Sequence, residues 1–274
     1  MTRKQHVPWK TAGAKSEERH SADEVVRETG WVFNNVVGAK LTLGDFVRTG
    51  DEEIGAYLHA FDLRDLAGDE HAIVEIGSGI GRMTAGLSRQ FGRVYACDLD
   101  AAFLERCRET VAQFGRPDRL TTAHVADGCT LPIADACADL AFSYITLQHC
   151  AHDDGIALVH EAVRVTKPGG TLALNFRTWV GRDFVLYPLG KAIRGLWRMP
   201  GVGPWLARQR FATRLGWQAN RLAPAQVVRE VPELQDVRIV RSPRRRPFEV
   251  PGTTDATFDG INPSHWWLIA RVPG

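Results

Sequence analysis

The run Glu75-Ile-Gly77-Ser-Gly79-Ile-Gly81 constrains this chain more than any other stretch, because it joins the end of a strand to the start of a helix. Before it, AIVEI is a short apolar run that predicts a buried strand. Glycines at such a turn let backbone approach a ligand that side chains would exclude. The spacing is GxGxG rather than the GxGxxG of dinucleotide enzymes, and no GxxxxGK[ST] loop is present. Nicotinamide, flavin and P-loop chemistry are therefore disfavoured.

Downstream, strands and helices alternate. RVYACDL predicts a second strand, and Asp100 caps a helix carrying Phe103, Leu104, Cys107 and Val111 that stops near Gly115. TTAHVAD and ADLAFSYIT predict strands three and four, GIALVHEAVRVT a helix ended by Pro168, Gly169 and Gly170, and TLALNFR strand five. Repeated β–α units demand right-handed crossovers and a mostly parallel sheet. Ser21 with Glu24, and Thr49 with Glu52, predict capped helices ahead of the first strand. After residue 178 the rhythm breaks until APAQVVREV, a helix, and the strands DVRIVRS and HWWLIARV.

Two carboxylates give the glycine turn its context. Asp98 ends the second strand 17 residues after Gly81, where it can accept hydrogen bonds from both hydroxyls of a ribose. Asp127, followed by Gly128, closes the third, where an acid can accept from an adenine amino group. Each Asp alone reads equally well as a cap or turn residue; the ordered set does not. Open α/β sheets place ligands at these strand ends.

On EIGSGIGR, YACDLD, ADGCTLPIADACADLAFSYITLQH and VRVTKPGGTLAL, residues 72–177 resemble the class I S-adenosylmethionine-dependent methyltransferases. The resemblance implies that Glu75, Gly77 and Gly79 surround the methionine portion, that Asp98 holds the ribose and that Asp127 with Gly128 borders the adenine, with Ser78, Gly81 and Leu99 also in the cofactor site. It implies that Tyr144 to Leu147 line the cofactor. The expected fold is a doubly wound, mostly parallel, seven-stranded Rossmann-like sheet. Residues 1–20 are expected as a flexible tail, 21–70 as an N-terminal helical cap, 72–177 as the cofactor core, 178–222 as a helical lid and 223–274 as closing strands.

The expected activity is methylation of a small molecule, at oxygen, in a biosynthetic pathway. N- or C-methylation, a different reaction on the same fold, and a non-enzymatic cofactor-binding partner protein are the alternatives. His149, just beyond strand four, is the candidate base, although a His there also serves as a cap or core donor. His152 is a weaker candidate that also suits the start of the next helix.

Residues 177–217 carry Arg177, Arg182, Lys191, Arg194, Arg198, Arg208, Arg210 and Arg214 against the single acid Asp183, with Trp179, Trp197, Trp205 and Trp217 interleaved. They predict either a lid that recognises an anionic or lipid-linked acceptor or touches an anionic membrane, with Arg177, Arg194 and Arg198 on the substrate, or a solvated cap. Trp31, Phe33 and Phe46 suit either a gate over the cofactor or plain packing.

The net charge of +2 implies no nucleic-acid partner. Five cysteines without CxxC spacing imply neither zinc site nor disulfide framework. No compact acid or histidine cluster implies a metal. The basic N-terminus lacks the apolar core of a secretory signal, and no apolar run is long enough to span a bilayer, so a cytoplasmic location is expected.

Overall fold

The computed structural model describes residues 21–26, 41–207, 209–216 and 220–274. Trp31, Phe33, Arg208, Trp217 and the N-terminal tail lie outside the described residues, as do the side chains of Arg210 and Arg214. The strands are β1 (Ala72–Ile76), β2 (Arg93–Asp98), β3 (Leu120–His124), β4 (Ala138–Ser143), β5 (Thr166–Arg177), β6 (Gln235–Arg241), β7 (Thr254–Thr257) and β8 (His265–Arg271). The helices are α1 (Leu43–Ala60), α2 (Thr84–Gln90), α3 (Ala101–Phe114), α4 (His152–Val165), α5 (Asp183–Leu196), α6 (Val202–Ala207), α7 (Arg210–Gly216) and α8 (Pro224–Glu230).

The sheet runs β3-β2-β1-β4-β5-β8-β6-β7. β3 through β5 are mutually parallel, whereas β8 is antiparallel to both β5 and β6. The expected doubly wound sheet is present with eight strands instead of seven. The additional strand is β7, a four-residue edge element parallel to β6 with mostly exposed side chains. TDAT carries neither an apolar run nor a buried face, so periodicity had nothing to detect there.

Strand β1 shows why helices cover both faces. Val74 and Ile76 point into a core with Leu158, Val159 and Ala162 of α4 and Val227 of α8. Ile73 points the opposite way, into a core with Ile54, Tyr57 and Leu58 of α1 and Leu87 of α2. A strand buried on both sides must be apolar throughout, which is what AIVEI supplies except at Glu75.

Ser21 and Glu24 make their reciprocal cap, Ser21 N donating to Glu24 Oε2 at 2.7 Å, and residues 22–26 are helical. The next helix begins earlier than Thr49 and Glu52 imply. Thr42 is its N-cap, accepting from Asp45 N at 3.1 Å, while Thr49 lies inside the helix and donates to Phe46 O at 2.7 Å. Thr42-Leu-Gly-Asp45 has the same cap spacing seven residues upstream, and the apolar side chains Leu43, Phe46 and Val47 extend the buried stripe to it. Phe46 is fully buried with Ile80 and Phe103, so it packs.

The lid segment forms α5, α6 and α7 around a small core of its own, Ile193, Trp197, Leu206 and Ala212.

Candidate active site

Strand order reverses between β1 and β4, the point where an open α/β sheet leaves a crevice at its carboxyl ends. The glycine turn lies there. Gly77 N and Ser78 N both donate to Cys97 O, at 2.8 and 3.0 Å, which ties the turn to the neighbouring strand. Gly77, Gly79 and Gly81 have φ of +85°, +56° and +93°. A Cβ on Gly77 would fall 2.1 Å from Thr146 Oγ1, so both conformation and space require glycine.

Asp98 closes the turn from the next strand. Its Oδ2 accepts from Gly79 N and its Oδ1 from Asp100 N, each at 2.8 Å. Asp100 in turn caps α3, accepting from Ala102 N at 3.0 Å. One donor per oxygen leaves acceptor capacity on both, in the pose that suits a pair of vicinal hydroxyls. Burial pushes the Asp98 carboxyl up to about 6, against the lowering hydrogen bonds from Asp100 and Gly79. Leu99 follows, its carbonyl accepting from His124 Nε2 at 3.1 Å.

Glu75 is buried beneath the turn and accepts from Thr84 Oγ1 at 2.6 Å. Burial pushes its carboxyl up to about 7. Ser78 Oγ is buried with no hydrogen-bond partner among the described residues, which suits a polar ligand laid across the turn. An adenosyl group fits these residues: an orphaned hydroxyl, a cleared backbone and a carboxylate with spare acceptor capacity.

Asp127 lies in the loop after β3. Its Oδ1 accepts from Cys129 N and Thr130 N, at 3.0 and 2.8 Å, and the Thr130 side chain first, then these backbone donors, hold its carboxyl below the usual range. Gly128 completes that turn at φ +78°. Tyr144 follows β4, stacked on Trp267 at 5.7 Å and tilted against Tyr57 at 5.1 Å, so its ring faces the aromatic core under α1. Ile145 has φ +51°, an uncommon conformation for a β-branched residue, and its N–H donates to Asn175 Oδ1 at 3.4 Å.

His149 stands one short turn beyond β4, half-buried, with its Nε2 3.3 Å from Gln148 Nε2. His265, at the start of β8, faces the same corner. Burial, with help from Arg177 and His149, pushes its imidazole down to about 3, so it stays neutral. His152 begins α4 at the surface instead, Nε2 2.6 Å from Gln226 and Nδ1 3.1 Å from Asp153.

A buried ion cluster borders this corner. Asp183 Oδ1 accepts from Arg177 at 2.9 Å and from Arg221 at 3.0 Å, and Oδ2 accepts from Val180 N at 3.1 Å. The Asp183 side chain is fully buried, and those of Arg177 and Arg221 are 7% and 4% exposed. Burial alone would raise the Asp183 carboxyl, yet the two guanidinium contacts hold it below its ordinary value. Two guanidiniums against one carboxylate leave excess positive charge. Arg177 also donates to Ser264 Oγ at 3.0 Å, and a cavity of about 400 Å³ opens beside it between Val180, Arg182, Asn262, Pro263 and Ser264. Tyr187 lies 5.0 Å from the Arg221 guanidinium.

Arg194 donates to Gly216 O at 3.2 Å across the lid and lies 6.0 Å from the Tyr187 ring, and Arg198 is exposed. Sequence reasoning passed over Arg221, Ser264 and Asn220, whose Nδ2 ties Leu147 O to Cys150 O at 2.8 and 3.0 Å. The one available signal was Asp183, the lone acid in a basic, apolar segment: such an acid is buried and shared.

Residues 74–174 match the family model for a methyltransferase domain. An uncharacterized methyltransferase of Mycolicibacterium gilvum is 29% identical over 149 residues, covering 54% of this chain and 51% of that protein. Methyltransferase GfsG of Streptomyces halstedii is 31% identical over 105 residues, covering 38% and 37%. The chain thus spans about half or less of the length of these curated relatives. Geranyl diphosphate C-methyltransferase from Streptomyces coelicolor, solved with magnesium, geranyl diphosphate and S-adenosyl-L-homocysteine, has a TM-score of 0.52 at 17% identity over 81% of this chain and 77% of that one. An O-methyltransferase family protein from Burkholderia thailandensis has a TM-score of 0.53 at 14% identity over 95% and 62%. At these identities the two solved structures speak to the fold alone. Fold, domain match and turn agree: residues 74–174 carry a methyltransferase domain, and the chain is similar to S-adenosylmethionine-dependent methyltransferases.

Proposed function

We propose that this chain methylates a hydroxyl oxygen of a small acceptor that carries a carboxylate or phosphate. The observation that carries the cofactor half is Asp98, a buried carboxylate with one backbone donor on each oxygen and acceptor capacity to spare. The acceptor half rests on the buried excess charge of Arg177, Asp183 and Arg221 beside the cavity at the end of β5.

S-adenosylmethionine, when bound, supplies an electrophilic methyl on a sulfonium. Positive charge is lost as such a bond forms, so the protein's work is alignment and exclusion of water. Gly77 and Gly79 hold the cofactor's methionine end against the turn, and Asp98 fixes the ribose. Asp127 and Gly128 border the base. His149 takes the acceptor's hydroxyl proton, with neutral His265 nearby.

His149→Ala is expected to lower kcat by about 100-fold or more, while affinity for S-adenosylhomocysteine stays near that of the wild type. Turnover close to wild type would remove His149 from the chemistry and favour an N- or C-methylation that needs no base there. Incubation with methyl-labelled cofactor and mass analysis of the product separate these readings from a non-enzymatic partner.

Cofactor affinity should also depend on pH. Burial raises the carboxyls of Asp98 and Glu75 to about 6 and about 7, so both hold their protons to higher pH than ordinary carboxyls do. The stability they add is present below the ordinary carboxylate range and lost as pH rises through about 6 and 7. Ribose hydroxyls bind the ionised Asp98, so affinity should climb as pH rises and level off above about 7. Titration calorimetry should show binding about tenfold weaker one pH unit below the Asp98 value. A flat profile between pH 5 and 8 would contradict the assignment.

A further inference from the structure

The helices after β5 present an outward face built the wrong way round for water. Among the described residues, the exposed large apolar side chains fall between Trp179 and Phe211. On α5 they keep helical spacing: Phe184 is 79% exposed, Val185 70% and Leu189 46%, with Leu196 and Met199 continuing the line. The inward face of the same helix is Asp183, Gly190 and Ile193, all buried. α5 therefore packs inward through Asp183, Gly190 and Ile193 while its line of Phe184, Val185 and Leu189 is left uncovered among the described residues. Trp205 and Phe211, 61% and 58% exposed, extend the patch onto α6 and α7. Scattered exposed apolar residues are ordinary; a run confined to one segment marks an interaction surface.

We propose that this face docks on an anionic lipid bilayer, with α5 lying in the plane of the interface. The charges around the patch favour that occupant. Arg182, Lys191 and Arg198 are exposed on the same segment, and the one acid in the segment, Asp183, is buried in its arginine cluster. An apolar face edged by basic side chains matches the boundary between acyl chains and negative headgroups. A second copy of the chain is the poorer match, because an isologous contact through this face would bring the same basic edges together. No helix among the described residues is long and apolar enough to cross a membrane, so the contact is peripheral.

The inference is independent of which molecule is methylated. Co-sedimentation of the full chain with vesicles of phosphatidylcholine alone, or of phosphatidylcholine with phosphatidylserine, tests it. The chain should sediment with the phosphatidylserine vesicles, lose that binding in high salt, and bind phosphatidylcholine alone far more weakly. Lys191→Gln and Arg198→Gln combined should weaken binding by about 30-fold. Phe184→Ser, Val185→Ser and Leu189→Ser combined should abolish it at any salt.

All five positions are exposed, so both variants should keep wild-type affinity for S-adenosylhomocysteine in calorimetry, which reports a folded core. If calorimetry fails for the wild type, circular dichroism serves as the folding control and the vesicle result stands. Absence of the wild type from phosphatidylserine pellets would overturn the proposal. So would a dimer in light scattering that the Phe184→Ser, Val185→Ser and Leu189→Ser variant converts to monomer without the wild type binding vesicles.

Discussion

Asp98→Ala is expected to weaken binding of S-adenosylhomocysteine by about 100-fold or more, from the loss of two charge-assisted hydrogen bonds worth roughly 1.5–3 kcal/mol each. The substitution does two things at once. It removes the proposed acceptor for the ribose hydroxyls, and it releases Gly79 N and Asp100 N from the carboxylate that orders the turn. Asp98→Asn separates the two, because an amide oxygen still accepts from one backbone donor while the charge is gone. Its affinity should fall between wild type and alanine, and it should lose the rise of affinity with pH between about 5 and 7, where the Asp98 carboxyl titrates near 6. Calorimetric dissociation constants for alanine within threefold of wild type would exclude a ribose contact.

Asp183→Ala should be the most destabilising single change outside the core, costing about 3–5 kcal/mol by urea denaturation. It leaves Arg177 and Arg221 buried side by side with no carboxylate between them. Removing one partner of a buried ion pair costs more than removing all of them. The triple change Asp183→Leu, Arg177→Met and Arg221→Met should therefore recover most of the loss. It should not recover binding of an anionic acceptor, which separates the structural use of the cluster from its proposed use on substrate. The carboxyl is held low in the folded protein, so its contribution is present above the ordinary carboxylate range and fades as pH falls through it. A cost below about 1 kcal/mol for Asp183→Ala would mean that the arginines are better solvated than their burial indicates.

The parts of this fold that were legible in the chain are those built from local pattern. AIVEI, the glycines at positions 77, 79 and 81 and the cap at Asp100 each carry their reason for existing within a few residues, and they recur as β1, the turn and the start of α3. What escaped was built from distant pairs. β7 is held by its register with β6, Ala256 opposite Val240, and not by apolar residues of its own. Thr42 outcompetes Thr49 as a cap because Leu43, Phe46 and Val47 all find burial. Arg221 meets Asp183 across 38 residues, and Asn220 meets Leu147 across 73. Charge counting registered Asp183 as outnumbered, but only the folded chain makes it the shared centre of two arginines. The outward apolar line on α5 was hidden for a related reason. An apolar helical stripe reads as a buried face until the fold leaves it uncovered.

The account turns on an adenosyl group lying across the carboxyl ends of β1 and β2. A crystal structure with S-adenosylhomocysteine tests that most directly. The predicted result has both ribose hydroxyls within hydrogen-bonding distance of the Asp98 carboxylate and the Ser78 hydroxyl newly engaged. Ligand density elsewhere on the protein, or a ribose that leaves Asp98 untouched, would contradict it.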